Sequence, residues 1–302
     1  MWEGTFTCND DDQLGPCSNV QTCNGLHGQD NAADQYHHTP LHTTALVPGH
    51  EQGTTFGEAG AAAFVIRPDL QFFPVHGGRS MAWTSSRRVD DDYIFIRINH
   101  QILPNLSFHS YLFEDGKKSK HFSRIHMHRW TVPIDDTNCK MIGWRAIGPN
   151  IDTRDVGKEE LVGFEKIDFL EGQCGIRRPE RAKYGPGQFP PIPKHHRERD
   201  CYNDAQHAPG DYEATASQRP IAVHALENPM KFDGGVYLSR KQLRDATTGS
   251  NPEATGAGWK EWLEGVDGKP NTYCSGNVLK VPIGSTPDEE IERRRIVAQR
   301  CI

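Results

Sequence analysis

Tyr93–Leu103 reads YIFIRINHQIL. Ile94, Ile96 and Ile98 fall on one face of a period-two pattern, which predicts a strand with one buried side. Pro104-Asn105 is a turn signal, and Leu106–Phe113 (LSFHSYLF) follows it as a second strand. Upstream, Ala61–Arg67 (AAAFVIR) is an apolar run, and Arg79–Arg88 carries Met81 and Trp83 in alternation. Downstream, His121–Pro133 and Cys139–Ile147 flank the turn IDDTN, as a hairpin would. Successive strands joined by short turns, with no helix between them, indicate an antiparallel sheet.

The remaining chain supplies helices. Residues 152–200 are charged and rich in Pro and Gly, which predicts a long excursion with little regular structure. Asp211–Ala246 reads as two helical pieces around a loop, the second over Gly235–Ala246. The last helix spans Thr286–Arg300, with Pro287 in its first turn and three acids after it, complementing the helix dipole. Residues 1–28 give no clear element. The whole is α+β.

Bulk composition narrows the function. The 302 residues carry a formal net charge of −6 and no long basic run, which argues against nucleic acid as a partner. No apolar run approaches the ~18 residues of a membrane span. Met1-Trp2-Glu3-Gly4 does not open a signal peptide, so a reducing cytoplasmic setting is expected. The eight cysteines include no C-x-x-C, C-x-H or C-x-x-H spacing, which argues against a structural zinc or cluster site in this chain.

Chemistry concentrates in Gln29–His42, QDNAADQYHHTPLH. Asp34, His37, His38 and His42 lie within nine residues, and imidazoles beside a carboxylate suit a divalent first-row metal. The segment is expected to be helical from about Asn31 and to end at Pro40. His38 and His42 are four apart and share a helix face, so spacing alone favours that pair. His37 with His42 requires a break, which Pro40 supplies. Either pair needs a third ligand from elsewhere, and a solvated helix face without metal is the bland alternative.

Read as N-x-x-D-x-x-H-x-x-x-x-H, Asn31–His42 resembles the mononuclear iron motif of the Rieske non-haem iron oxygenase large (alpha) subunits. Trp130–Thr137 (WTVPIDDT) and Asp211–Asp233, with DYEA, SQRPI, Glu227 and Asp233, are similar to two further segments of that family's phthalate-dioxygenase-like branch. The resemblance implies His37, His42 and Asp211 as ligands of a mononuclear Fe(II), with His38 a neighbour. It gives Asp34 the role of the carboxylate bridging the iron to the cluster of an adjacent subunit, and Asn31 its place before it. It implies a helix-grip (START-like) fold, with about seven antiparallel strands around a long C-terminal helix. It implies O2-dependent hydroxylation of an aromatic ring or oxidative O-demethylation of an aryl ether. It implies electrons from NAD(P)H through a reductase or ferredoxin and a [2Fe-2S] centre, and a homotrimeric assembly. Since the cluster-binding spacings are absent, residues 1–302 are expected to be one catalytic domain, with the [2Fe-2S] centre on another domain or chain.

Two rivals stand beside this reading. One is a zinc hydrolase using His38, His42 and a carboxylate; the other is a helix-grip binding protein with a vestigial metal site. Several other polar residues have structural roles by expectation: His126 and His128 in the core or a pocket wall, Asp135 and Asp136 in turn chemistry, and His224 and Glu227 as support under Asp211. His195-His196 reads as a solvated surface pair, and nothing nearby activates Cys201.

Overall fold

A computed structural model describes residues 13–42, 66–88, 90–110, 126–147, 211–265 and 272–302. The expected excursion at 152–200, the pair His195-His196, Cys201 and most of the apolar run 61–67 lie outside these residues.

Among the described residues eight antiparallel strands form one sheet. They are β1 (Gln13–Gln21), β2 (Asp69–Val75), β3 (Ser80–Arg88), β4 (Tyr93–Ile102), β5 (Leu106–Ser110), β6 (His126–Asp135), β7 (Asn138–Ile147) and β8 (Ser275–Lys280). Their order is β1-β7-β6-β5-β4-β3-β2, with β8 also paired to β4. One edge of β4 is therefore shared: residues 93–98 pair with β8 and residues 99–102 with β5. The helices are α1 (Gly25–Ala33), α2 (His38–His42), α3 (Asp211–Ser217), α4 (Gly234–Thr248), α5 (Gly256–Gly265) and α6 (Pro287–Gln299).

Strands β3 to β7 match the alternation in the sequence. Three others did not show in it. β1 (QLGPCSNVQ) contains Pro16, and β2 (DLQFFPV) contains Pro74. Both are outermost strands, and a proline that cannot donate to a ladder is tolerated there. β8 (SGNVLK) is short and contains Gly276.

The period of two divides the core. Ile94, Ile96 and Ile98 point to one face and pack with Ala298 and Val297 of α6. Ile102, Leu106 and Phe108 continue that face beneath Trp259 of α5. On the other face Met81 and Trp83 pack with Ala33 of α1 and Val236 of α4. The C-terminal helix thus covers one side of the sheet, and α1 and α4 cover the opposite side. Ion pairs fasten α6: Arg88 donates to both carboxylate oxygens of Glu290 (2.9 and 2.7 Å), and Arg295 pairs with Asp69 of β2. Thr286 caps α6, accepting from the Glu289 amide at 3.2 Å.

Helix α1 is not the helix expected from Asn31. It starts at Gly25 and ends at Ala33, and Asp34 adopts extended backbone after it. Its glycines explain why the stretch reads poorly as a helix: they let it lie directly on the β6–β7 hairpin. A Cβ on Gly28 would stand 2.9 Å from the Cys139 thiol, and one on Gly25 would stand 2.8 Å from the Pro133 ring.

Asp135 performs the turn chemistry assigned to it. Its carboxylate accepts from the Thr137 amide at 2.8 Å and from the Asn138 side chain at 2.9 Å. His128 is wholly buried beside Phe108 and Trp144, a core histidine. Within the same hairpin, a Cβ at Gly143 would meet the His128 carbonyl oxygen at 1.8 Å. A Gly143→Ala change must push β7 away from β6, so we expect a loss of about 1–3 kcal/mol in urea unfolding. Unchanged stability would show that the hairpin relaxes freely.

Candidate metal centre

The chain beyond α1 is turned by one side chain. Asp34 Oδ1 accepts from the backbone amides of Tyr36 (3.0 Å) and His37 (3.3 Å), forming a tight turn after the helix. That turn aims His37 inward. Its Nε2 lies 3.3 Å from Asp211 Oδ1, and its Nδ1 lies 3.6 Å from Asp34 Oδ2. Asp211 opens α3, whose position is fixed by Thr215: this hydroxyl donates to Gln21 Oε1 at 3.2 Å and to the Asp211 carbonyl at 2.9 Å.

Burial disfavours a charge on His37, but the Asp211 and Asp34 carboxylates outweigh it and raise the imidazole to about 10. Asp34 is likewise opposed by burial and held below its usual range by His37. A metal-free imidazole between two carboxylates holds a proton where a cation fits.

The geometry bears on the ligand set. Two donors each about 2.1 Å from one ion and at right angles to it lie about 3 Å apart. His37 Nε2 and Asp211 Oδ1 are close to that spacing, and Asp34 stands behind the opposite ring nitrogen, where a carboxylate orients a ligand histidine. The donor set therefore fits a divalent metal. Among the described residues no group of three or more His, Cys, Asp or Glu side chains gathers as a metal site. The third expected ligand, His42, ends α2, and its side chain lies outside the described residues. His38, favoured by spacing alone, has its ring 4.4 Å from that of His37. Asn31 sits half-buried in the last turn of α1, with no side-chain hydrogen bond among the described residues.

The turn is braced by a half-buried cation that sequence reading passed over. Arg240 of α4 donates to both oxygens of Asp30 in α1, the shortest contact being 2.6 Å, and to both oxygens of Glu227 at 2.9 Å. Tyr237 and His224 also hydrogen-bond Glu227, at 3.2 and 2.7 Å, so among the described contacts the support expected under Asp211 runs instead through Arg240 to α1. Tyr36 stacks on Phe232 at 4.0 Å. The signal for Arg240 was present as a basic residue on the apolar side of the second helical piece. His109 of β5 is a second addition. Burial, first, and the neighbouring charges keep it neutral, well below its usual range, and it senses both Asp211 and His37.

Over 240 residues the chain is 35% identical to the tert-butanol monooxygenase / tert-amyl alcohol desaturase oxygenase subunit of Aquincola tertiaricarbonis. The chain is thus similar to an oxygenase subunit, in line with its resemblance to the Rieske non-haem iron oxygenases. The match covers 80% of this chain and 46% of that protein, so the chain spans about half the length of the curated relative it matches. Solved structures that match include dicamba monooxygenase bound to dicamba, at 10% identity and a TM-score of 0.39, covering 78% of this chain and 59% of that one. NdmB of Pseudomonas putida CBB5 matches at 13% identity and a TM-score of 0.44, covering 78% and 55%. No family model matches. Among the described residues of this oxygenase relative, no helix is long and apolar enough to cross a membrane.

Two outcomes follow from the Arg240 clamp. Arg240→Met leaves Asp30 buried without its partner, and we expect a loss of about 3–5 kcal/mol in urea unfolding. An effect under ~1 kcal/mol would show the clamp to be dispensable. Glu227, through hydrogen bonding to Arg240 first, is held down at about 2 against an ordinary 4.5. A depressed carboxylate stabilises the fold above its ordinary value and loses that contribution as pH falls toward the folded value. An NMR titration of the Glu227 carboxyl should have its midpoint near 2 and move upward in Arg240→Met; a wild-type midpoint near 4.5 would refute the contact.

Proposed function

We propose that this chain is the iron-bearing portion of a Rieske-type oxygenase, with Fe(II) held by His37, His42 and Asp211. The observation that carries this is His37 set between Asp211 and Asp34, within a chain related to that family. Two imidazoles and a carboxylate on one face of an iron leave positions open for O2 and a substrate side by side. Ferrous iron bound there supplies the activation of O2.

The chain's own residues do the rest. Asp34 Oδ2 stands 3.6 Å from the outer nitrogen of His37, where its charge biases the ring's orientation and raises its basicity as a ligand. Its position between α1 and α2 also makes it the route toward a [2Fe-2S] centre on another domain or on a partner subunit of a homotrimer. Asn31 stands one helical turn before it. Asp211 brings the negative charge that offsets the metal, and the buried neutral His109 lies beside the pair without adding a competing charge. Electrons are supplied by NAD(P)H through a reductase or ferredoxin. The reaction is oxidation of a C–H bond, expressed as ring hydroxylation or as O-demethylation of an aryl ether. The tertiary alcohols in the relative's name make a small aliphatic C–H donor the second reading. In the helix-grip description α6 is the C-terminal helix. It covers the face of the sheet opposite His37, so the ligands we propose belong to the side covered by α1 and α4. A cytoplasmic setting, with the thiols reduced, completes the proposal.

Metal content decides it. After anaerobic incubation with Fe(II), we expect about one iron per chain, lost in His37→Ala and Asp211→Ala and kept in Asp34→Asn. Zinc that survives the Asp211 change would favour a hydrolase built on His38 and His42. No metal in any of them, with ligand binding intact, would favour the binding-protein reading.

A further inference from the structure

The metal segment joins the sheet beside two thiols. Cys23 lies between β1 and α1, and Cys139 is in β7, opposite Gln21 of β1. Both thiols are free, and both are fully buried at 0% exposure. A Cβ on Gly28 of α1 would stand 2.9 Å from Cys139 Sγ and 3.8 Å from Cys23 Sγ, so one bare turn of the helix covers both sulfurs. The Cys139 thiol donates a hydrogen bond to the Cys23 sulfur, and Thr215 of α3 bonds that sulfur too. A lone core cysteine is ordinarily a small, inert hydrophobe. These two are each other's partners, and they touch the elements that build the metal centre.

Both elements that bring His37 and Asp211 together start here. Asn24, next to Cys23, caps α1 by accepting from the Leu26 amide at 2.9 Å, and its side chain donates to the Asp136 carbonyl at 2.9 Å. Helix α1 then leads to Asp34 and His37. Thr215 donates to the Asp211 carbonyl at 2.9 Å and to Gln21 Oε1 at 3.2 Å. Hydrogen bonding to Cys139 first, and to Thr215, holds the Cys23 thiol below its ordinary value against burial. Cys139 is raised by the same bond and by burial, burial pushes Cys274 up to about 12, and burial raises Cys301 as well. Of the four free thiols among the described residues, Cys23 is the one biased toward the thiolate, the nucleophilic form.

We propose that Cys23 and Cys139 are a modification site, closed to a disulfide by hydrogen peroxide and disabling the metal centre when closed. The Cys23 thiolate attacks one peroxide oxygen, the O–O bond breaks, and the displaced hydroxide takes a proton and leaves as water. Cys23 is then a sulfenic acid. The Cys139 sulfur displaces its hydroxyl, which leaves with the second thiol proton as a second water. The two thiols lose two electrons and the peroxide gains them. In a reducing setting such a bond is transient and regulatory. Bonding draws the Cys23 sulfur toward β7 and off Thr215, and Asn24 moves with it. Helix α3 loses a contact that seats Asp211, and the start of α1 shifts, so His37 and Asp211 no longer meet at the spacing of a shared ion. Peroxide is what O2 becomes when it takes two electrons and oxidises nothing, so an O2-activating centre has the oxidant at hand. The effect on iron rests on the oxygenase reading; the disulfide does not.

The test treats the metal-free full chain with one equivalent of hydrogen peroxide, removes the excess with catalase, and reads a non-reduced peptide map followed by Fe(II) affinity. A Cys23–Cys139 link should be the first oxidation product and should be undone by dithiothreitol. The oxidised chain should hold Fe(II) at least about tenfold more weakly, the scale on which supporting contacts tune a metal site, and reduction should restore it. Cys139→Ala should take up iron like the unaltered chain and keep that capacity after the same treatment. Another cysteine reacting first, or an equal loss of iron in treated Cys139→Ala, would overturn the proposal. The peptide map of the unaltered chain needs no variant, so it remains decisive if Cys139→Ala fails to fold. A reversible Cys23–Cys139 link in a chain that takes up no iron in either state would sink the oxygenase reading and keep the disulfide. Iron held equally by the reduced and oxidised chains would overturn the switch and leave the oxygenase reading standing.

Discussion

The Arg240 guanidinium of α4 holds two other segments by charge. It reaches α1 through Asp30 and the turn before α4 through Glu227, with every oxygen of both carboxylates engaged. Helix α1 carries two glycines and little apolar surface, so hydrophobic packing alone gives it a weak hold on the hairpin beneath it. A charge-assisted, two-sided contact fixes its axial position instead. Everything downstream inherits that position: Asp34 leaves the helix at a set angle, its carboxylate folds the backbone over Tyr36 and His37, and the His37 ring arrives beside Asp211.

The clamp has an unequal energy balance. Burial raises Asp30 above its usual range despite the cation, while the more open Glu227 is lowered by the same cation. The arginine therefore offsets the desolvation of one acid and gains from the other. An arrangement of this kind contributes little net stability but penalises every alternative placement of α1, which is how a buried polar contact specifies geometry.

The parts of the fold that sequence disclosed were those where one physical effect dominated. β4 has three isoleucines at period two and no competing signal, and α6 has a Thr-Pro start followed by three acids. β1 and β2 were hidden because prolines are permitted on outer strands, and local preference alone cannot show which strands will be outermost. α1 was hidden because its glycines serve the approach to Cys139 and Pro133, a reason visible only once the hairpin is in place. The choice between His37 and His38 shows the same limit. Four-residue spacing holds for His38 and His42, which share α2, yet it is His37, placed ahead of α2 by the Asp34 turn, that meets Asp211. Helical spacing by itself carries no information about that contact. Arg240 went unread because a basic residue on a helix looks solvated until its partners are known.

The divided edge of β4 has a consequence for how the chain is made. Its residues 99–102 find β5 a few residues later, but residues 93–98 wait for β8 at 275–280. At ribosomal rates of about 5–20 residues per second, that interval is on the order of ten seconds. Throughout it, an isoleucine-rich ladder has unsatisfied amides and carbonyls along half its length, the kind of edge on which nascent chains associate. The segment that closes this seam lies just before α6, whose Ala298 and Val297 then cover the same three isoleucines. Closing the backbone ladder and sealing the apolar face are thus one late event, and the nascent protein depends until then on whatever shields that strip.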